Sequence, residues 1–386
     1  MTVPAAPGWW AQRLEIARPG AGTGLRSMEG LRGMAVFLVF LVHYMTLIGP
    51  WLGPHRLLAL IASRVHAMGN VGVDLFFVLS GFLIYGAVVS KPQRFLRYMR
   101  RRVLRIYPAF LAVFVLYLGL SLAFPAESRI PSGAAPAALY LLQNLLLLPG
   151  LLPIDAMITV AWSLSYEMFY YLVIPVLVGV LGLRDWPPRF RVMLFVSMSL
   201  VLAALFAGFG GPARLLMFLS GILLYEAYAA GPAGWQPSSR AGVLALLSAL
   251  GVAVMPGAVA PLMVKLGVLF LAFFVLCLAC FKQPSGPLAA AFCWAPLRWL
   301  GNMSYSYYLI HGLALKFGFL VLAKLLPPAA VAAGSVGLFW LGLPLMFALT
   351  LVPALLLFLV VERPLSLAHP PLDHPAIRLG PGAALP

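Results

Sequence analysis

The residues with the greatest chemical capacity in this chain are an arginine and a histidine eleven positions apart, Arg32 and His43, in the run EGLRGMAVFLVFLVH. On a helix, eleven steps make three turns plus about 20°, so both side chains share one face, and the rise between them is about 16 Å. A histidine set deep in an apolar helix can act as a general base, a proton relay or a hydrogen-bond partner inside a bundle. The arginine adds a permanent cation with a planar fork of donors at the mouth of the same helix.

Other ionisable groups stand in equally apolar surroundings. Asp74 lies in GNVGVDLFFVLSGFLIYG, where an acid needs a cation or a hydrogen-bond donor, with a neighbouring histidine or arginine as its natural partner. In the same run Ser80 and Gly81 are small residues that permit close helix packing. Glu167 falls in ITVAWSLSYEMFYYLVIP; an aromatic belt explains Trp162, Tyr166 and Tyr170, but not a carboxylate two turns in. Ser304, Tyr308 and His311 in LGNMSYSYYLIHGLALK recur at i, i+4 and i+7, one polar stripe that should face a bundle interior. Glu226, Lys265 and Lys316 also fall within apolar segments, and Arg105, Arg214 and Glu362 stand at segment ends.

The elements that must position these groups are membrane helices. The 386 residues are 63% hydrophobic and only 9% charged, with a mean hydropathy of +0.99, whereas soluble domains carry about 25% charged residues. So few charges cannot cover a water-exposed surface, so the fold class is all-α, a polytopic integral membrane protein. A crossing takes about 20 mostly apolar residues. Ten segments meet that criterion, near 34–52, 68–90, 103–124, 159–183, 191–209, 213–230, 242–258, 261–281, 304–326 and 332–361. The stretch 137–152 is apolar but short and carries Gln143 and Asn144; it is expected to be interfacial or re-entrant.

Charge gives the orientation. With a cytoplasmic N-terminus, nineteen Lys and Arg fall on the cytoplasmic side and five on the other, with Lys265 and Lys316 inside spans. That asymmetry follows the positive-inside rule and puts both termini in the cytoplasm. The formal charge of +16 is therefore topological, not a nucleic-acid footprint, since no basic stretch stands free of apolar segments. Residues 1–25, with Trp9, Trp10, Arg13 and Arg18, carry no cleavable signal pattern and are expected to form a cytoplasmic tail at the interface. Residues 26–364 form the membrane domain and 365–386 a second cytoplasmic tail. Cys277 and Cys280 form a C-x-x-C inside an apolar run with no further ligand pair, so they and Cys293 are packing residues, and no metal is expected.

The loop KPQRFLRYMRRRVLRIYP holds seven of the nineteen cytoplasmic cations. Such a block can anchor topology on anionic lipid, at about 1 kcal/mol per charge, or bind a polyphosphate through bidentate arginines. Pro108 is expected just inside the following helix, where it costs little. Nucleophile-elbow, zinc-protease, Walker and dinucleotide patterns are all absent from the sequence.

Taken together, these motifs resemble the acyltransferase-3 family of integral membrane acyltransferases, which includes O-antigen, peptidoglycan, exopolysaccharide and macrolide O-acyltransferases. The resemblance rests on R-x10-H at Arg32 and His43, GVDLFFVLSGF at 72–82, RRRVLRIYP at 100–108 and WSLSYE at 162–167. It continues with RLLMFLSGILL at 214–224, GNMSYSYYLIH at 301–311 and VERP at 361–364, seven pieces in family order across nearly the whole chain. It implies a ten-helix enzyme of a bacterial cytoplasmic membrane. Such an enzyme takes an acyl group, usually acetyl, from cytoplasmic acyl-CoA and delivers it to a hydroxyl of a sugar or glycosylated acceptor. The family's essential pair maps to His43 and Arg32, and its acyl-CoA end to Arg101, Arg102 and Arg105. Some members carry an extracytoplasmic hydrolase-like domain; here that requirement would fall to a partner protein.

The chemistry of acyl transfer fits the residues. It needs a base for the acceptor hydroxyl and a cradle for the CoA phosphates. His43 can be the base, with Asp74 or Glu167 orienting its imidazole as the third member of a triad does. Ser80, Arg214, Ser304, Tyr308 and His311 are expected as substrate-contacting or supporting residues. Within the family, the alternative is an acyltransferase that tailors a macrolide or other secondary metabolite. Two other classes compete: a secondary transporter using His43, Asp74 and Glu167 as a proton relay, which internal repeats would have signalled, and a non-catalytic scaffold, against which the intact Arg32/His43 pair argues.

Overall fold

A computed structural model describes residues 9–16, 25–53, 55–259, 261–328 and 336–367. Arg18, Arg378 and most of both tails lie outside the described residues. The elements in chain order are α1 (Trp9–Leu14), α2 (Arg26–Ile48), α3 (Arg56–Gly69), α4 (Val71–Val89), α5 (Phe95–Ala123), α6 (Ala134–Leu145), α7 (Ala161–Val180) and α8 (Pro188–Phe209). They continue with α9 (Leu216–Ala229), α10 (Ser239–Val254), α11 (Leu262–Lys282), α12 (Pro287–Phe292), α13 (Ala295–Asn302), α14 (Ser304–Leu325) and α15 (Val336–Leu357), and end in a π-helical segment, Phe358–Leu367. Among the described residues there is no β-strand.

Among the described residues, eight helices or helix pairs are long and apolar enough to cross a bilayer. Eight of the ten expected spans correspond to these, and the two near 213–230 and 242–258 form helices of 14 and 16 residues. Beyond Arg191, α8 is mostly apolar but buries only Phe195, the pattern of a helix that faces lipid. α4 and α9, by contrast, bury most of their residues and form the centre of the bundle.

Small residues bring the central helices together. A Cβ built on Gly81 would lie 2.1 Å from the Phe218 carbonyl oxygen, and one on Gly221 2.0 Å from that of Val78, so α4 and α9 touch backbone to backbone. α13 lies against the first turns of α2 in the same way, where a Cβ on Gly301 would fall 1.7 Å from the Glu29 oxygen. Arg298 of α13 bonds the buried Glu29 at 3.0 Å and closes that contact.

Two local expectations change. Residues 56–69 form a helix, α3, where the sequence suggested mostly a connection; Arg56, Arg64 and His66 had interrupted its apolar run. α5 starts at Phe95 and not near 103, because the arginine block is itself helical, so Pro108 sits well inside the helix. There it removes one backbone donor and crowds the carbonyl four residues before it. Lys316 falls within α14 as expected, half-exposed there and paired with Glu127 at 2.6 Å; that ammonium holds the Glu127 carboxyl below its usual range.

The stretch 137–152 is a short helix, α6, followed by a turn with positive φ at Leu147 and Gly150. Asn144 fixes the turn by donating to the Tyr140 and Asp155 carbonyls and accepting from the Met157 amide. At the opposite end, Arg363 donates to the Gln12 and Arg13 carbonyls, and Asn302 to that of Leu14. The first and last described segments therefore meet on one face of the bundle. All of Cys277 and Cys280 is buried in α11, as packing requires.

Candidate active site

The site is built where two polar faces meet. α2 contributes Arg32 and His43, and α14 contributes the stripe Ser304, Tyr308 and His311, which is buried in the bundle as its spacing requires. At one end Arg32 donates from Nε and Nη2 to Ser304 Oγ at 3.2 and 3.1 Å. Its guanidinium also lies 5.8 Å from the Phe76 ring of α4, within cation–π range. At the other end the His43 and His311 rings meet edge to face, 4.9 Å between centroids. Between them Tyr308 stands against Phe76 and His311, and its hydroxyl shares a 2.8 Å hydrogen bond with Ser163 of α7. The expected substrate-contacting stripe and the Arg32/His43 pair thus form one continuous polar seam.

The carboxylates go elsewhere. Asp74 is buried with its Oδ2 3.4 Å from Arg214 Nη1, and Arg214 also donates to the Asn70 carbonyl at 3.2 Å. Glu167 accepts from Tyr171 at 2.5 Å and from Ser80 at 3.4 Å. Neither is hydrogen-bonded to His43 among the described residues, so the orienting role expected of them is not visible as a bond. The physical reason is that each acid has other donors at hand: Arg214 for Asp74, and for Glu167 its own-helix neighbour Tyr171 together with Ser80 of α4. Gly81 packs as expected, while Ser80 holds Glu167.

The arginine block divides by depth. Arg105 pairs with buried Glu362 at 2.5 Å, and Glu362 also accepts from the Ser306 amide at 3.0 Å and hydroxyl at 2.6 Å. Arg105 further lies over the Tyr305 ring, next to Ser304. Arg102 is held between the Tyr98 and Tyr171 rings, 5.0 Å from each. Lys91, Arg94, Arg97, Arg100 and Arg101 are exposed, with Arg101 bonded to Gln93. The inner arginines thus join the seam to the outer, exposed cations.

Several partners escaped the sequence. Glu226 binds Arg191 bidentately at 2.7 and 2.9 Å and accepts from the Tyr85 hydroxyl. With Glu29–Arg298, Asp74–Arg214 and Glu362–Arg105, four buried acids each meet an arginine. The available signal was the scarcity of acids: a buried carboxylate must find a cation or several donors. No cluster of three or more His, Cys, Asp or Glu able to hold a metal occurs among the described residues.

Known proteins match the sequence that builds this arrangement. The chain is 26% identical to acyltransferase MdmB of Streptomyces mycarofaciens, with 88% of this chain and 91% of that protein covered. It is 24% identical to peptidoglycan O-acetyltransferase OatA of Listeria monocytogenes, over 74% of this chain and 48% of that protein. O-acetyltransferase OatA of Staphylococcus aureus is 26% identical, over 74% and 50%. The chain therefore spans most of MdmB and about half of the two OatA proteins. No solved structure matches it. The family model described as an acyltransferase domain matches residues 25–359, which include every element of the seam. This polytopic membrane protein belongs to the acyltransferase-3 family.

Proposed function

We propose that the chain is a membrane O-acyltransferase that moves an acyl group, most simply acetyl, from acyl-CoA to a hydroxyl of a sugar or glycosylated acceptor. The carrying observation is the seam itself: one helix pair, α2 and α14, presents Arg32 with Ser304 at one end and His43 with His311 at the other. The rise of about 16 Å between Arg32 and His43 suits the extended pantetheine arm of CoA. With Arg32 gripping the arm or its phosphates, the thioester reaches the histidine.

At that point His43 removes the proton from the acceptor hydroxyl as its oxygen attacks the thioester carbonyl carbon. The tetrahedral intermediate collapses, the carbon–sulfur bond breaks, and the leaving CoA thiolate takes the proton back from His43. Ser304 accepts from Arg32 through its oxygen, so its own O–H stays available to a substrate acceptor atom. Exposed Arg97, Arg100 and Arg101 meet the nucleotide phosphates, while Arg102 and Arg105 shape the entry from their aromatic and Glu362 contacts.

The arginine-rich face is the cytoplasmic one, supported by the nineteen-to-five charge asymmetry and by the meeting of Arg363 with residues 12 and 13. On this reading the two shorter helices α9 and α10 join the eight long ones to make ten crossings, with both termini on the cytoplasmic side of a bacterial cytoplasmic membrane. Acceptors of the peptidoglycan or exported-polysaccharide type suit this reading, in line with the peptidoglycan O-acetyltransferase OatA of Listeria monocytogenes. A proton-relay transporter is disfavoured because Asp74 and Glu167 are tied to Arg214, Ser80 and Tyr171.

The test is CoA release by purified protein in nanodiscs, supplied with acetyl-CoA and a bacterial glycan fraction. Acceptor-dependent CoA release with labelled acetyl in the glycan is expected. Acetyl-CoA left intact under all acceptors, by correctly folded protein, would overturn the proposal.

A further inference from the structure

The seam leaves one strong acceptor without a donor. His311 Nδ1 lies 2.8 Å from the Tyr308 carbonyl oxygen and 3.0 Å from that of Tyr307. Carbonyl oxygens only accept, so Nδ1 must carry the proton, and Nε2 of the neutral ring is left as a bare lone pair. That Nε2 is fully buried and has no hydrogen-bond partner among the described residues. Buried polar atoms are nearly always paired, and an exception calls for a reason.

Of the rings packed on His311, those of Tyr307 and Tyr308 have their hydroxyls bonded to Thr350 and Ser163, and His43 is the one that brings a ring N–H. Its ring meets His311 edge to face at 4.9 Å and 66°, a separation at which ring nitrogens turned toward each other come within hydrogen-bond reach. The stacked Tyr307 ring, 5.4 Å away and 11° from parallel, holds His311 in this pose. Meanwhile the two carboxylates that might orient His43 are engaged with Arg214, Ser80 and Tyr171.

We propose that His311 is the positioning residue for His43: its bare Nε2 accepts the N–H of His43 and so fixes the tautomer that points the basic nitrogen at the acceptor hydroxyl. A neutral imidazole here does the work that a carboxylate does in a serine-hydrolase triad. The inference rests on His43 acting as the base of acyl transfer.

Nitrogen-15 spectra of histidine-labelled protein in nanodiscs, with His43 assigned by the spectrum of His43→Gln, read the tautomer without needing turnover. The wild type should show a single His43 tautomer, and His311→Leu a mixture. In acetyl-CoA turnover, His311→Leu should lose about 100-fold in kcat with the donor KM nearly unchanged. His311→Gln, whose amide oxygen can take the place of Nε2, should keep one tautomer and stay within about 10-fold of wild type. A mixed tautomer in the wild type, an unchanged one in His311→Leu, or a folded His311→Gln as inactive as the leucine variant would overturn the proposal. If His311→Leu does not fold, the wild-type and glutamine spectra decide. Absence of acyl transfer by the wild type would instead overturn the assigned reaction, and the tautomer spectra would still report on the histidine pair.

Discussion

Arg32 and Ser304 are joined by two hydrogen bonds, from Nε and Nη2 of one guanidinium to a single hydroxyl, across 272 positions of sequence. The bonds lock the start of α14 to α2 and so set the register in which His311 meets His43 further along. The histidine proposed as the base and its neighbour are in this way positioned by an arginine about three turns away.

Replacing that fork tests its role. Arg32→Lys keeps the charge but loses the planar donor pair, and a charge-assisted hydrogen bond is worth about 1.5–3 kcal/mol. A fall of roughly 10- to 100-fold in kcat/KM is expected from that range. Ser304→Ala, which leaves the guanidinium in place, should raise the donor KM more than it lowers kcat. Steady-state kinetics with acetyl-CoA varied separate the two.

The exposed cations at the start of α5 should govern donor use. Arg97, Arg100 and Arg101 carry charge toward solvent, and exposed charges act through a field that salt screens. Arg100→Ala with Arg101→Ala is expected to raise the KM for acyl-CoA, with a difference from wild type that shrinks as salt rises. An unchanged donor KM in inserted protein would leave these residues with topology alone.

Glu362 should matter for stability. It takes Arg105 at 2.5 Å and both Ser306 donors, and breaking one side of a buried pair costs about 3–5 kcal/mol. Arg105→Ala should therefore lower the thermal midpoint in detergent sharply. The double variant Arg105→Ala with Glu362→Gln should recover part of the loss, since no unpaired charge remains.

Two glycines give a matched contrast. Gly301→Ala places a methyl where the Glu29 oxygen stands, and α13 must leave α2. Gly312→Ala, with nothing within 4 Å of the new carbon, should fold normally. Size-exclusion profiles of both proteins check this.

Much of this site could be read from the sequence because helical periodicity is local. The eleven-residue step from Arg32 to His43 and the i, i+4, i+7 stripe of Ser304, Tyr308 and His311 each define a face, and polar faces in a membrane must turn inward. What periodicity does not carry is which faces meet. Asp74 had two plausible classes of partner, and only the packing of α4 on α9 through Gly81 and Gly221 brings Arg214 to it. Glu362 and Arg105 are 257 positions apart, a separation at which no local pattern speaks. α3 was missed because its charged residues break the apolar run, although helix propensity tolerates them.

The most direct measurement is acetyl transfer by the His43→Gln protein. Glutamine keeps a hydrogen-bonding side chain of similar length but takes no proton at neutral pH, so the bundle should insert and fold as before. Purified in nanodiscs beside the wild type, with acetyl-CoA and an acceptor glycan, it should release no CoA above background. Substantial turnover by His43→Gln would contradict the assignment of His43 as the base and leave it a positioning residue in the seam.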